Sequence, residues 1–550
     1  MKNYFRVGTN QFFAGFMLLL LVCASASAQS LTISDVQTII AQAVSKAAAM
    51  NQKVTVSVTD REGNLLGTFA MTGAPANTLI RSVGTAGQGL ENLSVSSSAA
   101  SQSKAATTGI FSTGGNAFST RTAGFIIQEH FPPGVDFRPG GPLYGVQFST
   151  LPCSDVAITG LPLGLSGDPG GLPLYKNGAA VGGIGVEGDG LYTVDRIPTD
   201  DDQSVEETIA AYGSRGFEAP ALIRGDNILI EGIRLPFVNS VDASTVPTIA
   251  FGSLPGSVVA IIRAALPSDF VNGTLNGVPG QFSTRFPVVA GSSLTVAEVS
   301  QILSSAILTA GRVRAAIRKP LGSSAHVTAA VVDTDGRVLG IFRQVDAPVF
   351  GLDVSAQKGR TSNFFARADA GTKLNAAGFG TYVSRAAADG LTLSGGIAFS
   401  DRSFGFLHRP FFPDGITGAA AGPFSSEIAN WSPFNPGFQL DLVKDALVSP
   451  PMVCRGAAFT KRSVMAPCPC TAVPELRSGV QTFAGGLPLF RGSTHVGAIG
   501  VSGDGIEQDD LIAASGADTF APPASIRSDT IFVRNVRLPF LKFPARPFLD

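Results

Sequence analysis

Between Leu31 and Ala47, apolar residues recur every three or four positions, at Val36, Ile39, Ile40, Ala43 and Ala47. That spacing lines one face of a helix. The same stripe returns much later at Val299, Ile302, Leu303, Ala306 and Ala310. Each stripe is preceded by a threonine with an acid three positions on, Thr32 with Asp35 and Thr295 with Glu298. This is a capping box, which satisfies the free N–H groups of a first helical turn. The pattern then changes period. "VTVSVTDREGNLLGTF" from Val54 and "VTAAVVDTDGRVLGIF" from Val327 place β-branched residues on both sides of a D-x-x-G turn. Both read as hairpins.

The pairing continues along both halves. A second helix is predicted at "SKAATTGIF" from Ser103 and at "QKGRTSNFF" from Gln357. Phe- and Pro-rich excursions follow, "AFSTRTAGFIIQEHFPPGV" and "AFSDRSFGFLHRPFFPDGI". "GGLPLYKNGAAVGGIGVEGDG" from Gly170 then matches "GGLPLFRGSTHVGAIGVSGDG" from Gly485 at thirteen of twenty-one positions and reads as a strand pair. The copies close at Phe237 and Phe540, after "IRGDNILIEGIRLPF" and "IRSDTIFVRNVRLPF". Internal repetition of this kind marks a duplicated unit. The expected organisation is a leader over 1–28, one domain over 31–237, a Gly-, Ser- and Pro-rich linker over 238–293, and a second domain over 294–550. Hairpin-joined strands with interspersed helices define an α+β class, each unit an antiparallel sheet flanked by helices.

The ordered series of an L-T-x-x-(D/E)-V helix, a V-D-x-x-G hairpin, a K-x-x-T helix and G-G-L-P…V-G-x-I-G-V resembles the GlcG/HbpS family of haem-binding and haem-degrading proteins. The likeness occurs twice and is closer in the second copy, where "VSGDGIEQDD" keeps Gln508 and Asp509; the first copy substitutes an insertion, "VEGDGLYTVDRIPTDDDQS". The resemblance implies a profilin-like fold in two tandem copies, self-association that fusion turns into an intramolecular pseudo-dimer, and haem as ligand.

Composition sets the compartment. Lys2 and Arg6, an apolar run from Phe12 to Val22 and Ala26-Ser27-Ala28 form a secretory leader, with cleavage expected before Gln29 and a secreted or periplasmic product. Bulky Val22 before Cys23 argues against a lipid anchor. Forty basic and forty-one acidic residues leave a net charge of −1, so no nucleic acid or anionic membrane is called for. The remaining cysteines, Cys153, Cys454, Cys468 and Cys470, read as disulfide partners. Cys153 and Cys468 are repeat equivalents, which favours a Cys454–Cys470 bridge.

Candidate chemistry is sparse. No G-x-S-x-G, H-E-x-x-H, P-loop lysine or C-x-x-C-H motif occurs, and no catalytic constellation is visible. The K-x-x-T helices offer Lys104 and Thr107 in the first copy and Lys358, Arg360 and Thr361 in the second. Neighbouring Ile110, Phe111, Phe364 and Phe365 supply an apolar wall. A cation beside such a wall suits a flat carboxylated ligand such as haem. The second copy carries more cations, so it is expected to bind better. The glycine pairs Gly170-Gly171 and Gly485-Gly486 read first as chain reversals and second as N–H donors for an anion. None of the four histidines has a counterpart in the other copy; they read as loop or surface residues, with His495 and His130 the best suited to hold iron. The acidic runs at Asp200 and Asp509 read as solvated helix starts rather than cation sites. Three classes stay open: a haem- or tetrapyrrole-binding protein, a ligand-free interaction module, and an enzyme on a small organic acid.

Overall fold

The structure is a computed structural model that describes residues 30–239, 244–448, 469–542 and 548–549. The leader, Cys454 and Cys468 lie outside the described residues. In the first half, α1 (Ile33–Ala49) starts at Thr32, whose hydroxyl accepts from Asp35 N while Asp35 accepts from Thr32 N. The hairpin of β1 (Thr55–Asp60) and β2 (Leu65–Met71) turns on Asp60, whose carboxylate accepts from Glu62 N and Asn64 N. Then come α2 (Ser97–Phe111), the hairpin of β3 (Gly171–Lys176) and β4 (Ala179–Glu187), and α3 (Val205–Gly213).

The stretch 238–293, expected as a linker, is instead woven into both sheets. It contributes β5 (Gly256–Ala260) to the first, and β6 (Phe270–Leu275) and β7 (Val278–Ser283) to the second. β5 and β6 form sheet edges, and β7 pairs with β6 along its length and with β9 at Gln281 and Phe282; the Gly- and Pro-rich composition hid these strands.

The second half repeats the order with α4 (Val296–Ala310), β8 (Val327–Val332), β9 (Val338–Arg343), α5 (Gly351–Phe365), three inserted helices, a short one at Ala370–Ala376, α6 (Gly380–Ala388) and α7 (Phe438–Val448), then β10 (Gly486–Arg491), β11 (Thr494–Gly503) and α8 (Ile506–Gly516). The sheets run β5-β2-β1-β4-β3 and β6-β7-β9-β8-β11-β10, antiparallel throughout. Each sheet carries α1 and α3, or α4 and α8, on one face and α2, or α5, on the other. The fold is therefore α+β, built twice.

The repeated glycine phrase is what lets α2 and α5 lie so close to their sheets. A Cβ on Gly185 would collide with the Ser101 carbonyl oxygen, and one on its equivalent Gly500 with that of Ser355. Gly170 and Gly485 hold φ of +119° and +123°, a region that L side chains avoid.

The halves share one core. Buried side chains from both, including Phe111, Phe148, Phe350, Val354 and Phe438, form a single apolar cluster. Arg360 grips Asp155 of the other half with two hydrogen bonds of 2.8 and 2.7 Å. Asp353 accepts from Ser154 Oγ and Thr150 N, both at 2.6 Å. The disulfide joins Cys153 to Cys470, not Cys454 to Cys470. Repeat equivalence misled here, because the bond crosses between the halves instead of closing a loop within one. Among the described residues no helix is long and apolar enough to cross a membrane.

Candidate functional site

The K-x-x-T lysines face inward. Lys104 is fully buried, with its ammonium 2.7 Å from Asp168 and 3.0 Å from Glu187, in contact with Glu206, and donating to the Val186 carbonyl. Burial opposes its charge, but the three carboxylates outweigh that and raise its pKa well above the usual value. The acids answer in kind: burial pushes Glu206 up to about 8 and Asp168 well above the carboxylate range, against the pull of Lys104. Lys358 is equally buried, donating to Asp509 at 2.9 Å and to the Val501 carbonyl at 2.8 Å. Burial raises Asp509 to about 7, with Lys358 opposing.

A second pair repeats beside the first: Arg121 with Glu207, and Arg402 with Asp510. The acids of "EQDD" are thus internal counter-ions rather than solvated helix starts, and Asp202 of the earlier run bonds Arg121. Thr107 and Thr361 donate to the carbonyls of Ser103 and Gln357 within their own helices. Phe365 is packed among Phe404, Phe424 and Phe438. Gly171 donates its N–H to Thr120 Oγ1, and a Cβ on Gly486 would strike Asp401. The expectation of cations open to a ligand therefore gives way to buried ion pairs. A lysine removed from water needs a carboxylate, and the helix that carries it is the one covered on both sides.

The histidines are placed elsewhere. His130 stacks on Phe411, and its Nδ1 is 2.7 Å from the Arg138 carbonyl. His408 is fully buried and accepts from Gln439 N; burial lowers it to about 3. His495 contacts the Gly497 carbonyl at 3.0 Å and is lowered by burial to about 4. His326 Nδ1 lies 2.8 Å from the Val345 carbonyl. His130 and His408 are thus core residues, not surface ones.

An open, largely apolar cleft of about 390 Å³ lies where the halves meet. The first half supplies Phe111, Phe118, Ile126, Leu143 and the tip Leu229–Glu231. The second supplies Arg314–Ile317, Leu321, Phe350 and the turn from Gly503 to Gln508. Rings from opposite halves, Phe111 and Phe350, meet edge to face at 4.7 Å in its wall. The end of the repeated phrase braces the second side. Asp504, buried, accepts from Arg318 Nε at 2.5 Å and from His326 N, while its carbonyl accepts from Ala316 N at 2.9 Å. The first-half equivalent, Asp189, is exposed; its carboxylate accepts from Leu191 N and its N–H donates to Glu206. Arg314 lines the cleft, is exposed, and has no ion pair among the described residues. Leu321 and Leu229 are 80% and 55% exposed at opposite sides of it.

The equivalent place in the second half is filled. The counterparts of Phe111, Phe118, Ile126 and Leu143 are Phe365, Phe399, Leu407 and Phe424. Phe438 from α7 lies 6.4 Å from Phe365 and 5.6 Å from Phe424, and Tyr382 from α6 stacks on Phe424 at 6.4 Å. Sequence spacing carried both asymmetries. Six positions separate Phe111 from Ala117, against thirty-three between Phe365 and Ala398; twenty-three separate Leu31 from Val54, against thirty-three between Leu294 and Val327. The first difference brings in α6, and the second brings in the Arg314–Leu321 segment.

The cleft suits the body of a tetrapyrrole better than its metal. Its size falls in the ~300–1,000 Å³ range of small-molecule sites, and its aromatic walls and arginine match an apolar ring with carboxylates. Among the described residues no His, Cys, Met or Tyr lines it; its side-chain oxygen donors are Glu231, Glu507 and Gln508, and Glu507 already pairs with Arg402.

Comparison with known proteins gives a local family match and partial structural neighbours of low TM-score. Residues 459–518 match the family model described as HbpS-like, haem degrading protein HbpS-like. No curated protein matches the chain. Among solved structures, a PduOC:heme complex is 20% identical, covering 35% of this chain and 98% of its own, with a TM-score of 0.23. Klebsiella pneumoniae protein ORFY is 23% identical, covering 36% and 95%, with a TM-score of 0.22. A double mutant of Streptomyces reticuli HbpS is 19% identical, covering 39% and 98%, with a TM-score of 0.21.

Proposed function

We propose that the chain is an exported binding protein that holds one apolar, carboxylated ring ligand of the tetrapyrrole class in the cleft between its halves. The observation that carries this reading is the cleft itself: apolar on both sides, closed by neither half alone, with unpaired Arg314 among the described residues at its edge. The HbpS-like match supports the ligand class, since 459–518 includes the Gly503–Gln508 turn that lines the cleft. Export draws support from the leader sequence and from the Cys153–Cys470 bond, which persists in oxidising compartments. Scavenging, buffering or sensing of such a ligand all suit this arrangement.

A ligand-free interaction module is the second reading, favoured by the self-satisfied pairing of Lys104 and Lys358. Titration of the mature protein with haemin separates the two. Saturable binding that Ala316→Trp abolishes supports the first reading, and featureless additive absorbance supports the second. N-terminal sequencing of the exported product should begin at or near Gln29; an N-terminus at Cys23 would overturn that part of the reading.

A further inference from the structure

We infer, building on the function proposed above, that the cleft recognises the carboxylated ring system of its ligand and not a metal at the centre of that ring. A metal-free porphyrin should therefore be as good a ligand as an iron porphyrin. The argument starts from donor chemistry. Iron in a tetrapyrrole takes an axial nitrogen, sulfur or phenolate donor from a protein, and its affinity for the site then depends on that bond. The four histidines each sit outside the cleft, and three hold a ring nitrogen 2.7–3.0 Å from a backbone carbonyl. The fourth, His408, is buried against Gln439 N. Cys153 and Cys470 are consumed by their mutual bond.

Among the described residues, what remains in the cleft are apolar contacts, one cation, and the oxygens of Glu231, Glu507 and Gln508, none of them a nitrogen, sulfur or phenolate donor. Phe111 and Phe350 offer ring faces and edges from opposite halves, and such contacts act on the π-system whatever its centre holds. Arg314 offers a planar, always charged fork, suited to a carboxylate in two-point contact. Glu507 cannot turn to a metal without leaving Arg402, 2.9 Å away. Discrimination should thus follow the carboxylates: esterifying them removes the partner of Arg314, while removing iron removes nothing that the cleft holds.

The test uses the full mature chain and three probes: haemin, metal-free protoporphyrin IX and its dimethyl ester. Haemin and the free porphyrin should bind within about threefold of one another, and the ester at least several-fold more weakly, since one lost charged contact corresponds to about a tenfold change or less. Arg314→Ala should weaken both acids several-fold and leave the ester unchanged; the residue is exposed, so folding is not at stake. Haemin binding more than tenfold tighter than the free porphyrin, and still abolished by Ala316→Trp, would overturn the inference while leaving the cleft as the site. Haemin binding that ignores both Ala316→Trp and Arg314→Ala, or no binding of any probe, would overturn the proposed site and the inference with it.

Discussion

Replacing Lys104 with methionine separates a structural lysine from a ligand-binding one. The substitution keeps the length of the side chain but removes the ammonium held among Asp168, Glu187 and Glu206. All three carboxyls are buried, so the mutant must take up a further proton to avoid an unpaired charge. Holding one more carboxyl neutral at pH 8, against an ordinary value of 4.5, costs about 1.4 kcal/mol for each of roughly 3.5 units, or about 5 kcal/mol. At pH 5 the same proton costs less than about 1 kcal/mol. Measured losses on breaking a buried pair, about 3–5 kcal/mol, agree with the upper figure.

The sign is fixed by the raised acids. Between about pH 4.5 and about 8 the native protein holds protons on Glu206 that the unfolded chain has released, so this cluster stabilises most at the acid end and less as pH rises. Urea denaturation followed by the fluorescence of the single tryptophan, buried Trp431, measures the effect. Lys104→Met should lose about 3–5 kcal/mol at pH 8 and less than about 1 kcal/mol at pH 5, and adding Glu187→Gln should restore part of the loss at pH 8. An equal loss at both pH values, or less than about 1 kcal/mol at pH 8, would refute the reasoning.

Two other outcomes are expected. Peptide mapping without reduction should recover Cys153 joined to Cys470, and Cys470→Ser should lower the thermal midpoint, because the bond pins two halves 317 positions apart in sequence; a Cys454–Cys470 peptide would contradict the fold's cross-half connection. Phe438→Ala should cost about 3–5 kcal/mol, measured by denaturation, since a fully buried ring touching Phe365, Phe379, Tyr382, Phe404 and Phe424 leaves a cavity behind it.

Local rules carried the fold far. Thr32 and Thr295 cap the helices that their spacing announced, and the Asp60 and Asp333 turns join the strands that the β-branched runs announced. Each of these features is decided by neighbours within a few residues. The site was less legible for the opposite reason. Lys104 and Lys358 look alike in sequence whether they meet solvent, a ligand or a carboxylate sixty or more residues away. The cleft is assembled from Phe111, Leu229, Arg314 and Gly503, which no local pattern links. The resemblance to a known family drew attention to the shared residues, whereas the cleft depends on segments in which the two copies differ. The unequal spacings after Phe111 and Phe365, and after Leu31 and Leu294, were the available signal, because an insertion in one copy only must either fill or form something that the other copy lacks.

The number of ligands bound per chain tests the central claim most directly. Two equivalent places exist by repetition, one open at Phe111 and Phe350 and one occupied by Tyr382 and Phe438. Calorimetric titration of the mature protein with metal-free protoporphyrin IX should end at one ligand per chain. A stoichiometry of two, or no saturable heat at all, would contradict the account.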